Sequence, residues 1–133
     1  MARVEGRLHG KVAVVTGAAH GIGAAIVGLF TSEDGRVVVA DIDDEAGSAV
    51  AAEIGAAAVF VRHDVSSEPG WEAVVAGAVD RFGRLDVLVN NAGVVHHASV
   101  ADTTLADFER LVRVNQIGVF LGMRAVIEPM RRA

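Results

Sequence analysis

The chain has 133 residues, 52% of them hydrophobic, a formal net charge of -5 and no cysteine. That is enough for one domain with a real core, and it excludes disulfides, thiolate catalysis and zinc–thiolate sites. No run of basic residues is longer than Arg131-Arg132, so nucleic acid and acidic membrane surfaces find no electrostatic footprint.

Residues 1–10 are mixed and charged and read as a polar lead-in without the apolar segment of a signal peptide. No apolar run approaches the ~20 residues of a membrane helix, so the expected setting is soluble and cytoplasmic. A first strand is predicted from about Lys11 to Thr16, then a turn containing Gly17 and Gly21. The helix after it places Ile22, Ile26, Leu29 and Phe30 on one stripe that is expected to be buried. Asp34-Gly35 turns into a second strand, Arg36 to Ala40, which ends on Asp41. Asp43, Asp44 and Glu45 open a second helix, where the dipole favours acids, and Gly55 closes it.

The third strand runs from Ala57 to Arg62 and leads into His63-Asp64-Val65. Ser66 or Ser67 can cap the next helix, whose residues Trp71, Val74, Val75, Ala78, Val79 and Phe82 recur at helical spacing. Gly83 stops it, and a fourth strand, Leu85 to Val89, runs into Asn90-Asn91-Ala92-Gly93. A polar loop with His96-His97 precedes a last long helix from about Thr104 to Met130. Paired histidines in a loop, without further ligands at suitable spacing, read as solvated, and no metal site is expected. Strands that alternate with helices in this way predict an α/β, Rossmann-like doubly wound parallel sheet, residues 1–133 forming one domain.

Gly17-x-x-x-Gly21-x-Gly23 sits where a strand meets a helix. There the unpaired N–H groups and the helix dipole can hold a pyrophosphate. An ordinary glycine-rich turn is the bland alternative. A Walker A loop is excluded, because no Lys-Ser/Thr follows the glycines. Asp41 lies roughly 20 residues further on, where an acid can accept from both ribose hydroxyls. Its negative charge would repel a 2′-phosphate, which favours NAD over NADP. A helix-capping role is better filled by Asp43 or Asp44.

These motifs together resemble the short-chain dehydrogenase/reductase family. The family's T-G-x-x-x-G-x-G stands as Thr16 to Gly23, and its Asp-Val as Asp64-Val65. Its N-N-A-G stands as Asn90 to Gly93, and its V-N-x-x-G as Val114 to Gly118. The resemblance implies strand order 3-2-1-4 and NAD as the cofactor. It implies that Gly17, Ala19, His20, Gly21, Ile22 and Gly23 surround the pyrophosphate and adjoining ribose. Asp41 and Ile42 would meet the adenosine, Asp64 and Val65 would border the adenine, and Asn91 and Ala92 would line the cofactor path. A basic residue often stands at the position of His20 in NADP-using members, so a largely neutral histidine again points to NAD.

Asn115 falls on an apolar stripe with Phe108, Leu111, Val112, Val119 and Gly122. A buried amide without partners costs about 1–3 kcal/mol, so a partner is expected. One solution is a structural hydrogen bond. The other, implied by the resemblance, is support of a proton relay at a distortion in the helix. Gly118 and Gly122 would permit close backbone contact.

Family chemistry moves hydride between the nicotinamide and an alcohol or carbonyl carbon, with a Tyr-x-x-x-Lys pair and a serine. This chain contains no tyrosine, and its only lysine is Lys11. The expectation is a cofactor-binding part, cut after the fourth strand and following helix, that is inactive alone and prone to homo-oligomerise or aggregate. A non-catalytic dinucleotide sensor or partner-binding module is the alternative, and a methyltransferase using the same turn is a weaker one.

Overall fold

The computed structural model describes residues 2–133; Met1, the first residue of the polar lead-in, lies outside them. Four strands, β1 (Val12–Thr16), β2 (Arg36–Asp41), β3 (Ala58–Arg62) and β4 (Val87–Val89), form one parallel sheet in the order β3-β2-β1-β4. Val14 lies opposite Val38 on one side and Leu88 on the other, so β1 is flanked on both edges. Continuous valine runs suit strands covered on both faces. Every residue of β1 is buried.

Side chains alternate across the sheet and feed two cores. Val12 and Val14 join the core under α3 (Glu68–Phe82) and the chain's last helix, with Trp71, Val74 and Leu121. Ala13 and Val15 join the core under α1 (Gly21–Ser32) and α2 (Asp44–Ile54), with Val27 and Ala51. Trp71 is 1% exposed, and its indole N–H donates to the Val65 carbonyl at 2.9 Å. The predicted stripe of α3 therefore holds, apart from Val79, which is exposed.

The stripe predicted for α1 is corrected. Ile22 and Leu29 are exposed, while Gly23 and Val27 are the residues packed on the sheet, flanked by half-buried Ile26 and Phe30. Close approach decides this: a Cβ on Gly23 would stand 2.1 Å from the Gly17 carbonyl oxygen. The helix can lie against the sheet only on the face that carries this glycine.

The last helix is one continuous rod in three parts. It comprises α4 (Leu105–Val112), a π-helical segment (Arg113–Ile117) and α5 (Gly118–Arg132). Glycines let it pack as expected, for a Cβ on Gly118 would stand 2.7 Å from Val65 and one on Gly122 2.7 Å from the Trp71 ring. Pro129 lies within α5. The lead-in is also fastened. The Leu8 N–H donates to Glu33 O at 2.9 Å, Arg3 pairs with Asp34, and Arg7 pairs with Glu33. No helix is long and apolar enough to cross a membrane among the described residues.

Candidate functional site

The carboxyl ends of the strands gather most of the nominated residues. Thr16, the last residue of β1, is 1% exposed, and its hydroxyl accepts from the N–H groups of Asn91 at 3.1 Å and Ala92 at 3.0 Å. The Asn91 side-chain amide returns the contact, donating to the carbonyls of Thr16 at 3.0 Å and Gly17 at 3.1 Å. The end of β4 is thereby clasped to the glycine turn. Gly17 and Gly21 hold φ of 62° and 52°, a region that costs any residue with a Cβ.

A second set of bonds ties the turn to β2. Asp41 accepts from the Ala19 N–H at 3.0 Å through one carboxylate oxygen and from the Asp43 N–H at 3.0 Å through the other. Asp43 caps α2 by accepting from the Ala46 N–H at 2.9 Å and meets the His20 ring at 2.9 Å. Those two contacts, Ala46 first, hold the Asp43 carboxyl below its usual range. Division of labour between the acids is as the sequence suggests: Asp43 caps, and Asp41 is free of that duty.

The amino terminus of α1 is different from the others. Asp43, Ser67 and Thr104 cap α2, α3 and α4 with side-chain oxygens, but His20 offers α1 no such bond, and no acid stands in its first turn. Its leading N–H groups are therefore left for an anion. His20, Gly21 and Ile22 form the exposed lip of this turn, with Gly23 beneath them.

Beside the turn lies a cleft of about 400 Å³, lined by Gly17, Asp41, Ile42, Asp64, Val65 and Ala92 among others. Asp64 accepts from the N–H and hydroxyl of Ser66, both through one oxygen, and these bonds lower its pKa. A larger groove of about 570 Å³ separates α3 from α5, and none of the nominated residues line it.

Asn115 requires a correction. It is exposed rather than buried, and its amide is engaged at both ends by Val94, accepting from the N–H and donating to the carbonyl at 2.8 Å each. Those bonds satisfy the amide, and Asn115 lies inside a π-helical segment, the distortion in the helix that the resemblance implied. His96 is exposed and meets Thr103 at 3.2 Å.

Sequence reasoning missed His63, Arg110 and Arg113, which also line the cleft. His63 is 3% exposed, and neither ring nitrogen has a hydrogen-bond partner among the described residues. Its ring stands edge-on to Trp71 at 4.4 Å between centroids. The only signal was its place next to Asp64-Val65.

The profile for short chain dehydrogenases matches residues 11–133. This chain belongs to the short-chain dehydrogenase family. Among its relatives is the 3-alpha-(or 20-beta)-hydroxysteroid dehydrogenase of Mycobacterium tuberculosis, 48% identical over 130 residues, which cover 98% of this chain and 50% of that protein. The 3-beta-hydroxysteroid dehydrogenase of Comamonas testosteroni is 46% identical over 125 residues, covering 94% and 49%. The structure of a 3-ketoacyl-(acyl-carrier-protein) reductase from Brucella melitensis, complexed with NADH, superposes with a TM-score of 0.91. It is 39% identical, with 94% of this chain and 52% of that one covered. The chain thus spans about half the length of the curated relatives it matches. The short-chain dehydrogenase fold, an oxidoreductase scaffold, accounts for the sheet order and for the cleft at its strand ends.

Two measurements test this geometry. Asn91→Ala removes the donors that hold the Thr16 and Gly17 carbonyls. It is expected to lower stability by about 1–3 kcal/mol, read as a lower urea midpoint at unchanged slope; an unmoved midpoint would show that the clasp does not hold the turn. Burial pushes the His63 pKa below its usual 6.5, more than the Asp64 charge raises it. The unfolded chain then takes up this proton more readily, so the contribution is complete above the unfolded pKa and is lost as pH falls below it. Between roughly pH 7 and pH 5, His63→Phe should flatten the decline in unfolding free energy, and an identical slope would contradict this.

Proposed function

We propose that this chain is the dinucleotide-binding part of an NAD-dependent oxidoreductase that exchanges hydride between nicotinamide and an alcohol or carbonyl carbon. The observation that carries the reading is Asp41, a carboxylate at the end of β2, held by the N–H groups of Ala19 and Asp43 and lining the cleft. A carboxylate fixed in this way accepts from ribose hydroxyls and repels a 2′-phosphate. The uncapped amino terminus of α1 fits a pyrophosphate.

In this reading Gly17, Ala19, His20, Gly21, Ile22 and Gly23 surround the pyrophosphate, and Asp41 and Ile42 receive the ribose. Asp64 offers its remaining oxygen to the adenine edge beside Val65. Asn91 and Ala92 border the path toward the nicotinamide, and Asn115 supports the site by fixing the Val94 backbone. When bound, the nicotinamide supplies the hydride acceptor or donor. These 133 residues contain no tyrosine, and their one lysine, Lys11, stands just before β1, at the far end of the sheet from the cleft. The proton-transferring Tyr-x-x-x-Lys pair of the family therefore has no counterpart within them, and binding without turnover is the expected behaviour.

Calorimetric titration checks the reading directly. NAD should bind at least roughly tenfold more tightly than NADP, and Asp41→Arg should reverse that order. Binding of neither dinucleotide, or turnover of secondary alcohols by these residues alone, would overturn it. The same reading includes self-association. Phe120, Met123 and Ile127 are 53%, 52% and 46% exposed along α5, and β4 is an edge of the sheet. Apolar helix faces and open edges recruit further chains. Sedimentation velocity at micromolar concentration should show species larger than the monomer, and a single monomeric boundary would contradict this.

A further inference from the structure

The helix wall of the cleft carries two arginines for which the dinucleotide reading has so far no role. Arg110, near the end of α4, and Arg113, the first residue of the π-helical segment, line the cleft together with Val114. They stand three residues apart, about one helical turn, so each charge disfavours the other. Every other arginine except Arg132 meets a carboxylate or lies over an aromatic ring. Among the described residues, Arg110 and Arg113 meet neither. Of the acids near them, Asp41 accepts from Ala19 and Asp43, Asp64 from Ser66, and Asp107 from Thr104. Glu109, four residues before Arg113 and beside it in a neighbouring hollow, forms no ion pair with it in this structure.

Two exposed guanidinium groups that meet no protein partner line a cleft of about 400 Å³ and are free to meet a ligand. A phosphate group is a poor fit, because the Asp41 and Asp64 carboxylates line the same cleft. A flat, uncharged aromatic ring fits better. Val65, Ala92 and Val114 give the cleft apolar sides, and a planar, weakly hydrated guanidinium can lie flat on an aromatic face, where a strongly hydrated ammonium makes only a point contact. Arg113 also borders a second hollow with Ser66, Phe108 and Ile117, so its side chain stands where it has room to turn. We propose that Arg113 lays its guanidinium against the face of the adenine ring of the bound dinucleotide, with Arg110 as its less important neighbour. This rests on the dinucleotide reading and adds a binding residue to it.

The test is calorimetric titration of the whole chain with NAD, ADP-ribose and NADP, comparing wild type with Arg113→Ala, Arg113→Lys and Arg110→Ala. Arg113 is exposed, so thermal unfolding should be unchanged in its variants. Arg113→Ala should weaken NAD and ADP-ribose alike, by roughly threefold to thirtyfold. Arg113→Lys should weaken them to a similar degree, because lysine keeps the charge and loses the planar face. Arg110→Ala should have the smaller effect. Wild-type affinity in Arg113→Lys would replace stacking by simple charge attraction and overturn the proposal, as would wild-type affinity in Arg113→Ala. A loss confined to NADP would overturn it in favour of a 2′-phosphate contact. Failure of the wild type to bind any of the three would bring down the dinucleotide reading itself, and the proposal with it.

Discussion

The contact between Thr16 and Asn91 is the one on which the site depends. A parallel sheet joins β1 to β4 only by backbone ladders, and β4 contributes just three residues to its ladder. The Thr16 hydroxyl and the Asn91 amide extend that pairing past the strand ends, into the turn where a ladder cannot continue. The carbonyls of Thr16 and Gly17 and the N–H of Ala92 gain partners in a half-buried corner. The Asn91 N–H, which also donates to the Val89 carbonyl at 3.0 Å, gains a second one; leaving such groups unmade is expensive. The glycine turn is therefore held from the β4 side before any ligand arrives. Asn91 is an architectural residue of the turn.

Asp41 does the corresponding work from the β2 side. Its two oxygens are bound by N–H groups from two segments, the turn and the start of α2. A carboxylate oriented by two such bonds cannot swing away, so its remaining lone pairs keep a fixed direction. His20 and Asp43 add an exposed contact across the same corner, which contributes little to stability in water but closes the outer edge of the turn. With both sides held, α1 can present its unoccupied N–H groups without a side-chain cap. The local cost of that bare helix end is tolerated because the rest of the corner is satisfied.

The last helix shows how a local irregularity places a side chain. A π-helical segment shifts the register of the residues that follow, and such segments are common at functional sites. Here the shift sets Asn115 against the Val94 backbone, while Gly118 and Gly122 still seat α5 on Val65 and Trp71. An unbroken α-helix would have to satisfy both contacts with one periodicity. The expectation of a buried Asn115 assumed that single periodicity, and it failed for this reason.

Much of the molecule was legible in the chain itself. Valine runs bounded by glycines and acids specify buried strands, and the distance from Gly17 to Asp41 specifies one strand–helix–strand unit, because both depend on neighbours close in sequence. The motifs from Thr16 to Gly118 likewise identified the family. Which face of a helix is covered was not legible: in α1, periodicity placed Ile22 and Leu29 together, but the sheet accepts only the side bearing Gly23 and Val27. Nor could the sequence pair Asn91 with Thr16, fasten the lead-in to Glu33 and Asp34, or bring His63, Arg110 and Arg113 to one cleft. Those groups are separated by tens of residues, and only the closed sheet with its helices fixes the distances between them.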